Sequence, residues 1–327
     1  MSKVLVTGAS GFIGSHVVEM LAGQGFSVRT LVRKSSSLAF LGQVSTELAF
    51  GDVADPASLP PALAGVQGVV HCAGLTKALS LGQYRQINRD GTENVLRACC
   101  SMQPRPSRIV VLSSLAAFGP SRGGRPVHEG DEPHPISDYG RSKLEGHRVA
   151  ESFMKELSVS LLIPPAVYGP RDRDIYAYFK FAKIGIVPFL GCRERYLSLV
   201  YVKDLARAAV VCLLEEEAVG RSYFVEDGEV HTWKSFAGAI TCAMARKPAS
   251  VVVPRFVARA AAVLVDVFSQ ITRRPPLLGT QKMCELLQPS WTCSGEHIRK
   301  ELGFQIQYPL WKGVEETYRW YVEHRWL

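Results

Sequence analysis

Short unbroken apolar runs alternate with stretches of helical spacing through the first two thirds of the chain. "KVLVTG" reads as a buried strand, and "FIGSHVVEMLAGQG" as a helix closed by glycine. "FSVRTLV", "STELAFGD", "GVVHCAG" and "RIVVLSS" read as further strands, with a helix near 83–102 between the last two. A Pro/Gly-rich loop at 119–136 leads into a helix at 138–156 and the strand "VSLLI". Strand, helix and strand in succession imply right-handed crossovers and a parallel sheet. Their nearly continuous Val, Ile and Leu content suits a sheet covered on both faces. The fold class expected is therefore α/β, a doubly wound parallel sheet.

After Pro170 the rhythm changes. Residues 170–199 read as an insertion, and "YLSLVYVKDLARAAVVCLLEE" returns to strand and helix. From about 226 onward helical patterns dominate. This predicts one unit of residues 1–169 plus 200–225, and a smaller, mostly helical substrate lobe of 170–199 plus 226–327. The lobe would pack over the carboxyl ends of the strands, where open α/β sheets bind ligands. The segment 254–274 is unusual. Arg255, Arg259, Asp266 and Gln270 fall within roughly 60° of one another at helical spacing, and nearly everything else is apolar. Such a helix is core, a subunit contact, a wall of an apolar pocket, or a peripheral contact with a membrane surface.

Composition narrows the functional class. With 327 residues, 47% apolar and 21% charged, the chain has ample core. The net charge is +8, but Lys and Arg are scattered. There is no zinc-finger spacing and no aromatic RNA-binding motif, which argues against nucleic acid as a partner. The eight cysteines form no C-x-x-C pair and no metal-ligand spacing, so no metal is expected and the thiols read as reduced. The first strand starts at residue 3, so no signal peptide fits. No apolar run approaches the roughly 20 residues needed to cross a bilayer. The expected location is cytoplasmic, with the 254–274 helix as a candidate peripheral membrane contact.

Two features carry chemistry. In "VTGASGFIG", Gly8, Gly11 and Gly14 follow a strand and open a helix, with Phe12 and Ile13 in its first turn. The first glycine permits a tight turn, the second a close approach to a pyrophosphate, and the third close helix–strand packing. The phosphate then meets free N–H groups at a positive helix end. This is a Rossmann-type dinucleotide site. Arg33 and Lys34 stand at the end of the second strand, where a carboxylate would accept both ribose hydroxyls of NAD. An Arg suits a 2′-phosphate, so NADP is favoured over NAD, with an ordinary surface Arg as the plain alternative. Asp52, beside Val53, follows the third strand; it is placed to accept the adenine amino group or to cap the next helix.

The second feature is a Tyr with a Lys four residues on, one above the other on a helix. Three pairs fit: Tyr139–Lys143, Tyr176–Lys180 and Tyr308–Lys312. Spacing alone does not choose among them.

The chain resembles the extended short-chain dehydrogenase/reductases, the NAD-dependent epimerase/dehydratase superfamily. The resemblance runs through "TGASGFIG", "GDVAD", "HCAG", "INRDGTENVL", "VLSSLAAFG", "YGRSK", "PPAVYGP" and "VYVKDLA", in order over about 3–225. The opening looks most like dihydroflavonol reductases and 3β-hydroxysteroid dehydrogenases. The resemblance implies that Ser114, Tyr139 and Lys143 are catalytic, and that the other two tyrosines belong to lobe packing. It implies Tyr139 as acid–base group, Ser114 bonded to the same substrate oxygen, and Lys143 holding the nicotinamide ribose and favouring the phenolate. It places Ala73 and Gly74 beside the cofactor, and the Pro164 to Val167 turn under the nicotinamide. Asn88 would order this region. A homodimer through the 83–102 and 138–156 helices is also implied. Ile163, Tyr201 and Phe118 depart from the usual pattern.

Sugar-nucleotide relatives commonly carry "G-x-Q-x-R-D-(F/Y)", where this chain has "GCRERYLSLVYVKD". Leu115 and Ala116 follow Ser114, where dehydratases usually need acids. The expected function is hydride transfer between NAD(P) and an alcohol or ketone on a bulky, largely apolar substrate such as a sterol or dihydroflavonol. The alternatives are a nucleotide-sugar epimerase and a non-catalytic NADP-binding sensor.

Overall fold

The computed structural model describes residues 2–42 and 44–327. Its centre is a seven-stranded sheet, parallel throughout. The first six strands are β1 (Lys3–Thr7), β2 (Ser27–Val32), β3 (Glu47–Phe50), β4 (Gly68–His71), β5 (Arg108–Leu112) and β6 (Val159–Ile163). Across the sheet the order is Ser222–Phe224, β6, β5, β4, β1, β2, β3. The chain direction across the sheet reverses between β1 and β4, and that switch opens a crevice at the strands' carboxyl ends.

Alternation of side chains across each strand gives the sheet two cores. Val4, Val6, Val70, Val110 and Leu112 pack on one face, with α1 (Phe12–Gly23) and the helix Val202–Leu214. Leu5, Val69, Ile109 and Val111 pack on the other, with the helices Gly91–Ser101 and Asp138–Phe153. The doubly wound α/β fold is thus as expected, except at one edge: Leu48 and Phe50 of β3 are exposed.

One strand read from the sequence lies outside the main sheet. The apolar run at "YLSLVYV" does not rejoin the main sheet. Leu199–Tyr201 pairs instead with Ala166–Tyr168 in a separate ribbon. Pro164 and Pro165 end β6 because neither has an N–H to donate, and the chain turns out of the sheet there. The place beside β6 goes to Ser222–Phe224.

Beyond these strands, helices dominate, with two small sheets among them. Ile186–Leu190 pairs with Ala249–Val253, and Tyr196–Leu197 lies between His231–Thr232 and Ser290–Trp291. Aromatic residues fill the core here. Tyr176 packs on Tyr321 and Trp326, and Tyr308 on Tyr201 with ring centres 4.6 Å apart. Both tyrosines are therefore packing residues. The apolar segment at 254–274 forms the helix Arg255–Thr272, here the outer helix. It buries only Ala258, Ala262 and Ser269, so it is not core.

Candidate active site

The parallel sheet brings the candidate residues to one rim. Gly8 follows β1, Arg33 follows β2, and Asp52 lies two residues past β3. Ala73 and Gly74 follow β4, Ser114 follows β5, and Pro164 follows β6.

The glycine turn fits a dinucleotide. Gly8 has φ +66°, and a Cβ there would lie 2.7 Å from the Ala73 nitrogen. A Cβ on Gly14 would lie 2.2 Å from the Gly8 carbonyl oxygen. Gly11 caps α1 without a side-chain bond, and no acid stands in the first turn. The N–H groups of Phe12 and Ile13 are thus left for an anion at the positive helix end.

Arg33 is exposed at the rim, and among the described residues it makes no ion pair. Asp52 accepts from the Ala54 N–H at 3.0 Å, whereas Asp55 caps the following turn by accepting from Ala57. The capping role thus falls to Asp55. Val53 is buried, and its carbonyl accepts from Asn94 at 2.9 Å.

A buried polar chain fixes the loop after β4. The Ala73 N–H donates to Thr7 Oγ1 at 3.2 Å. Thr7 Oγ1 lies 2.7 Å from His71 Nδ1, and His71 Nε2 lies 3.1 Å from Thr92 Oγ1. Thr92 in turn donates to the Asn88 carbonyl. Burial, then the charge of Lys143, pushes His71 down to about 3, so the ring is neutral. Its bonds are all made if Thr7 donates to Nδ1 and Nε2–H donates to Thr92.

Asn88 makes the key cross-link. It sits in a single π-helical turn, Gln86–Asp90. Its side chain accepts from the Leu75 N–H at 2.7 Å and donates to the Leu75 carbonyl and Ser142 Oγ, both at 2.9 Å. Ser142 donates to the Tyr139 carbonyl at 2.7 Å. The loop after β4 is thereby tied to the helix that carries Tyr139.

That helix, Asp138–Phe153, is capped by Ser137, whose hydroxyl accepts from the Gly140 N–H at 3.0 Å. Such a cap stabilises a helix by about 1 kcal/mol. Asp138 instead donates its N–H to Gln281 Oε1, at 2.7 Å. Tyr139 and Lys143 follow on one face. Ser114 Oγ accepts from the Ala116 N–H at 3.2 Å, and its side chain stands beside the Tyr139 phenol, favouring the charged form. The Leu115 N–H donates to the Pro164 carbonyl at 2.9 Å, holding Ser114 against the Pro164–Val167 turn. Pro164 is buried there and Val167 half-buried.

Burial pushes the Tyr139 phenol up to about 12, and the neighbouring Ser114 hydroxyl works against that. Glu285, Tyr84 and Asp174 push it further up. Burial lowers the Lys143 ammonium to about 8. Lys143 donates to the Leu112 carbonyl at 2.7 Å, so in this structure it is held on β5 rather than spent on the phenol. Tyr139 therefore keeps its proton at neutral pH.

Two partners had no sequence signal. Glu285 accepts from the Ser137 hydroxyl at 2.5 Å, and Gln281 bonds both the Asp138 N–H and its carboxylate. Both come from the helix Thr280–Leu286, far along the chain and outside any motif. At the small sheets beyond, Arg195 is buried with Nε and Nη2 unpartnered. It lines a cavity of about 600 Å³ with Phe189, Leu190, Trp233 and Phe236.

Comparison with known proteins shows the family and the fold. Residues 4–225 match the model of the NAD dependent epimerase/dehydratase family. Ceramide reductase of Caulobacter vibrioides (strain NA1000 / CB15N) is 31% identical over 99% of this chain and 96% of its own length. The 3-beta-hydroxysteroid dehydrogenase of Mycolicibacterium neoaurum is 27% identical over 76% of this chain and 71% of its own length. A solved structure of MoeE5 in complex with UDP-glucose and NAD superposes with TM-score 0.78 at 22% identity, covering 99% of this chain and 100% of that one.

Proposed function

The chain belongs to the NAD-dependent epimerase/dehydratase family, and from that premise we propose that it is an NAD(P)-dependent reductase of a ketone on a bulky lipid. The observation that carries this reading is that the Ser114 side chain stands beside the Tyr139 phenol at the rim, with Lys143 one turn on. The full-length likeness to a protein named ceramide reductase supports a lipid over a smaller ketone.

When bound, the nicotinamide supplies the hydride. The chain does the rest. Phe12 and Ile13 N–H groups hold the pyrophosphate, and Arg33 takes the 2′-phosphate, making NADP the preferred form. Pro164 and Val167 seat the nicotinamide, with Ala73 and Gly74 beside it. Ser114 hydrogen-bonds the ketone oxygen. Tyr139, protonated with its pKa raised to about 12, donates a proton from Oη as the oxygen gains charge. Lys143, still cationic at neutral pH, holds the ribose and stabilises the phenolate left behind.

A second reading, a nucleotide-sugar epimerase, has one observation in its favour. Arg195 lines a cavity together with Lys234 and Arg246, and three cations there suit a diphosphate. The apolar wall of Phe189, Leu190, Trp233 and Phe236 in the same cavity favours the lipid. The deciding experiment is cofactor oxidation with NADPH and NADH against long-chain lipid ketones, sterol ketones, flavonoid ketones and UDP-sugars. Lipid-ketone turnover, faster with NADPH, is expected. Interconversion of a UDP-sugar without net cofactor consumption would overturn the reading.

A further inference from the structure

The outer helix has its side-chain sizes inverted. Toward the protein it presents Ala258, Ala262 and Ser269, all buried. Toward solvent it presents Phe256, Leu264, Phe268 and Ile271, between 67% and 75% exposed. Val257, Val263 and Val267 are exposed between them. At 100° per residue these seven residues span an arc of roughly 140°, and the buried three lie opposite. A folded surface rarely exposes so many large apolar side chains together without a partner.

The charges around this face share one sign. Between Pro248 and Thr280 the only acid is Asp266, against Arg255, Arg259, Arg273 and Arg274. Asp266 is already engaged: its carboxylate accepts from the N–H and hydroxyl of Thr280. Arg259 stands exposed along one margin of the apolar arc. Arg273 and Arg274 stand exposed at its end, followed by exposed Leu277 and Leu278. Among the described residues, no helix is long and apolar enough to cross a membrane.

We infer that the outer helix lies on the surface of an anionic lipid bilayer, its apolar arc in the acyl boundary and its arginines at the headgroups. An apolar face suits any greasy partner. The cationic margin, with its one acid already satisfied, selects a surface carrying anionic headgroups. A second copy of this chain would bring the same arginines against themselves.

The test is flotation of the full-length protein with vesicles of phosphatidylcholine, with and without phosphatidylglycerol. The wild type is expected to float with the mixed vesicles, less with phosphatidylcholine alone, and less again at high salt. The double variant Leu264→Ser/Phe268→Ser should lower the vesicle-bound fraction about tenfold or more, with an unchanged melting temperature. Should that variant misfold, Phe256→Ser in the first turn carries the same test. The inference is overturned if the wild type does not float, or if the variant floats equally well. It is also overturned if the double substitution merely splits a dimer and leaves flotation unchanged. Failure of the ketone screen leaves flotation untouched, so the two readings fail separately.

Discussion

Two helices of this molecule break the usual sorting of side chains in opposite directions. The helix Asp138–Phe153 buries polar groups: Ser142 and His147 are nearly inaccessible, and its cap Ser137 is 4% exposed. The helix Arg255–Thr272 exposes apolar ones, with Phe256 and Ile271 at 75%. In the first, every buried polar group named has a partner, so desolvation is offset by hydrogen bonds and the geometry is fixed. In the second, the large apolar groups stay exposed among the described residues. An inverted pattern with internal partners marks a rigid site. One without them marks a surface that awaits something.

The contrast can be broken most forcefully at Tyr139. Tyr139→Phe removes the proton donor and leaves the ring, so kcat should fall by about a thousandfold. Cofactor affinity, followed by fluorescence titration, should stay within about twofold. Turnover within tenfold of the wild type would show that this buried polar face is not the reacting one.

A smaller effect is expected one layer back. Asn88→Ala strands the Leu75 N–H and carbonyl and frees Ser142, all beside Tyr139. Unfolding free energy should drop by about 2–3 kcal/mol in urea titrations. A loss below about 0.5 kcal/mol would mean that water replaces those bonds freely, and the rigid-site argument would weaken. The smallest effect belongs to the outer helix. Leu264→Ser/Phe268→Ser should change folding stability by no more than about 0.5 kcal/mol, because neither side chain packs in the folded chain. A large loss would show that the face has an internal partner after all.

Much of the sheet was legible because its strands are continuous apolar runs. That same cue finds the strand Leu199–Tyr201 but not its place, since it is as apolar as its neighbours yet sits outside the main sheet. The strand that does complete the sheet, Ser222–Phe224, is only three residues long and too short for any periodicity to show. At the site, Gly8, Gly11 and Gly14 were readable because each answers a local backbone demand. Tyr139 needed more than its spacing, since Tyr176 and Tyr308 share it. Glu285 and Gln281 were invisible: they reach the catalytic helix cap from 148 and 143 residues away, through contacts that no local pattern encodes.

The rim has one further consequence. Gly8, Arg33, Asp52, Ala73, Ser114 and Pro164 each follow a different strand, while the sheet beneath is shared. Loops lengthen at small entropic cost, about 0.6 kcal/mol per doubling. The rim therefore behaves as a keyboard of separable parts. The stretch after β6 can be recut for a new substrate while the glycine turn after β1 and the Ser114 corner after β5 stay in tune. Chains with this sheet can thus diverge in what they accept long before they diverge in how they move a proton.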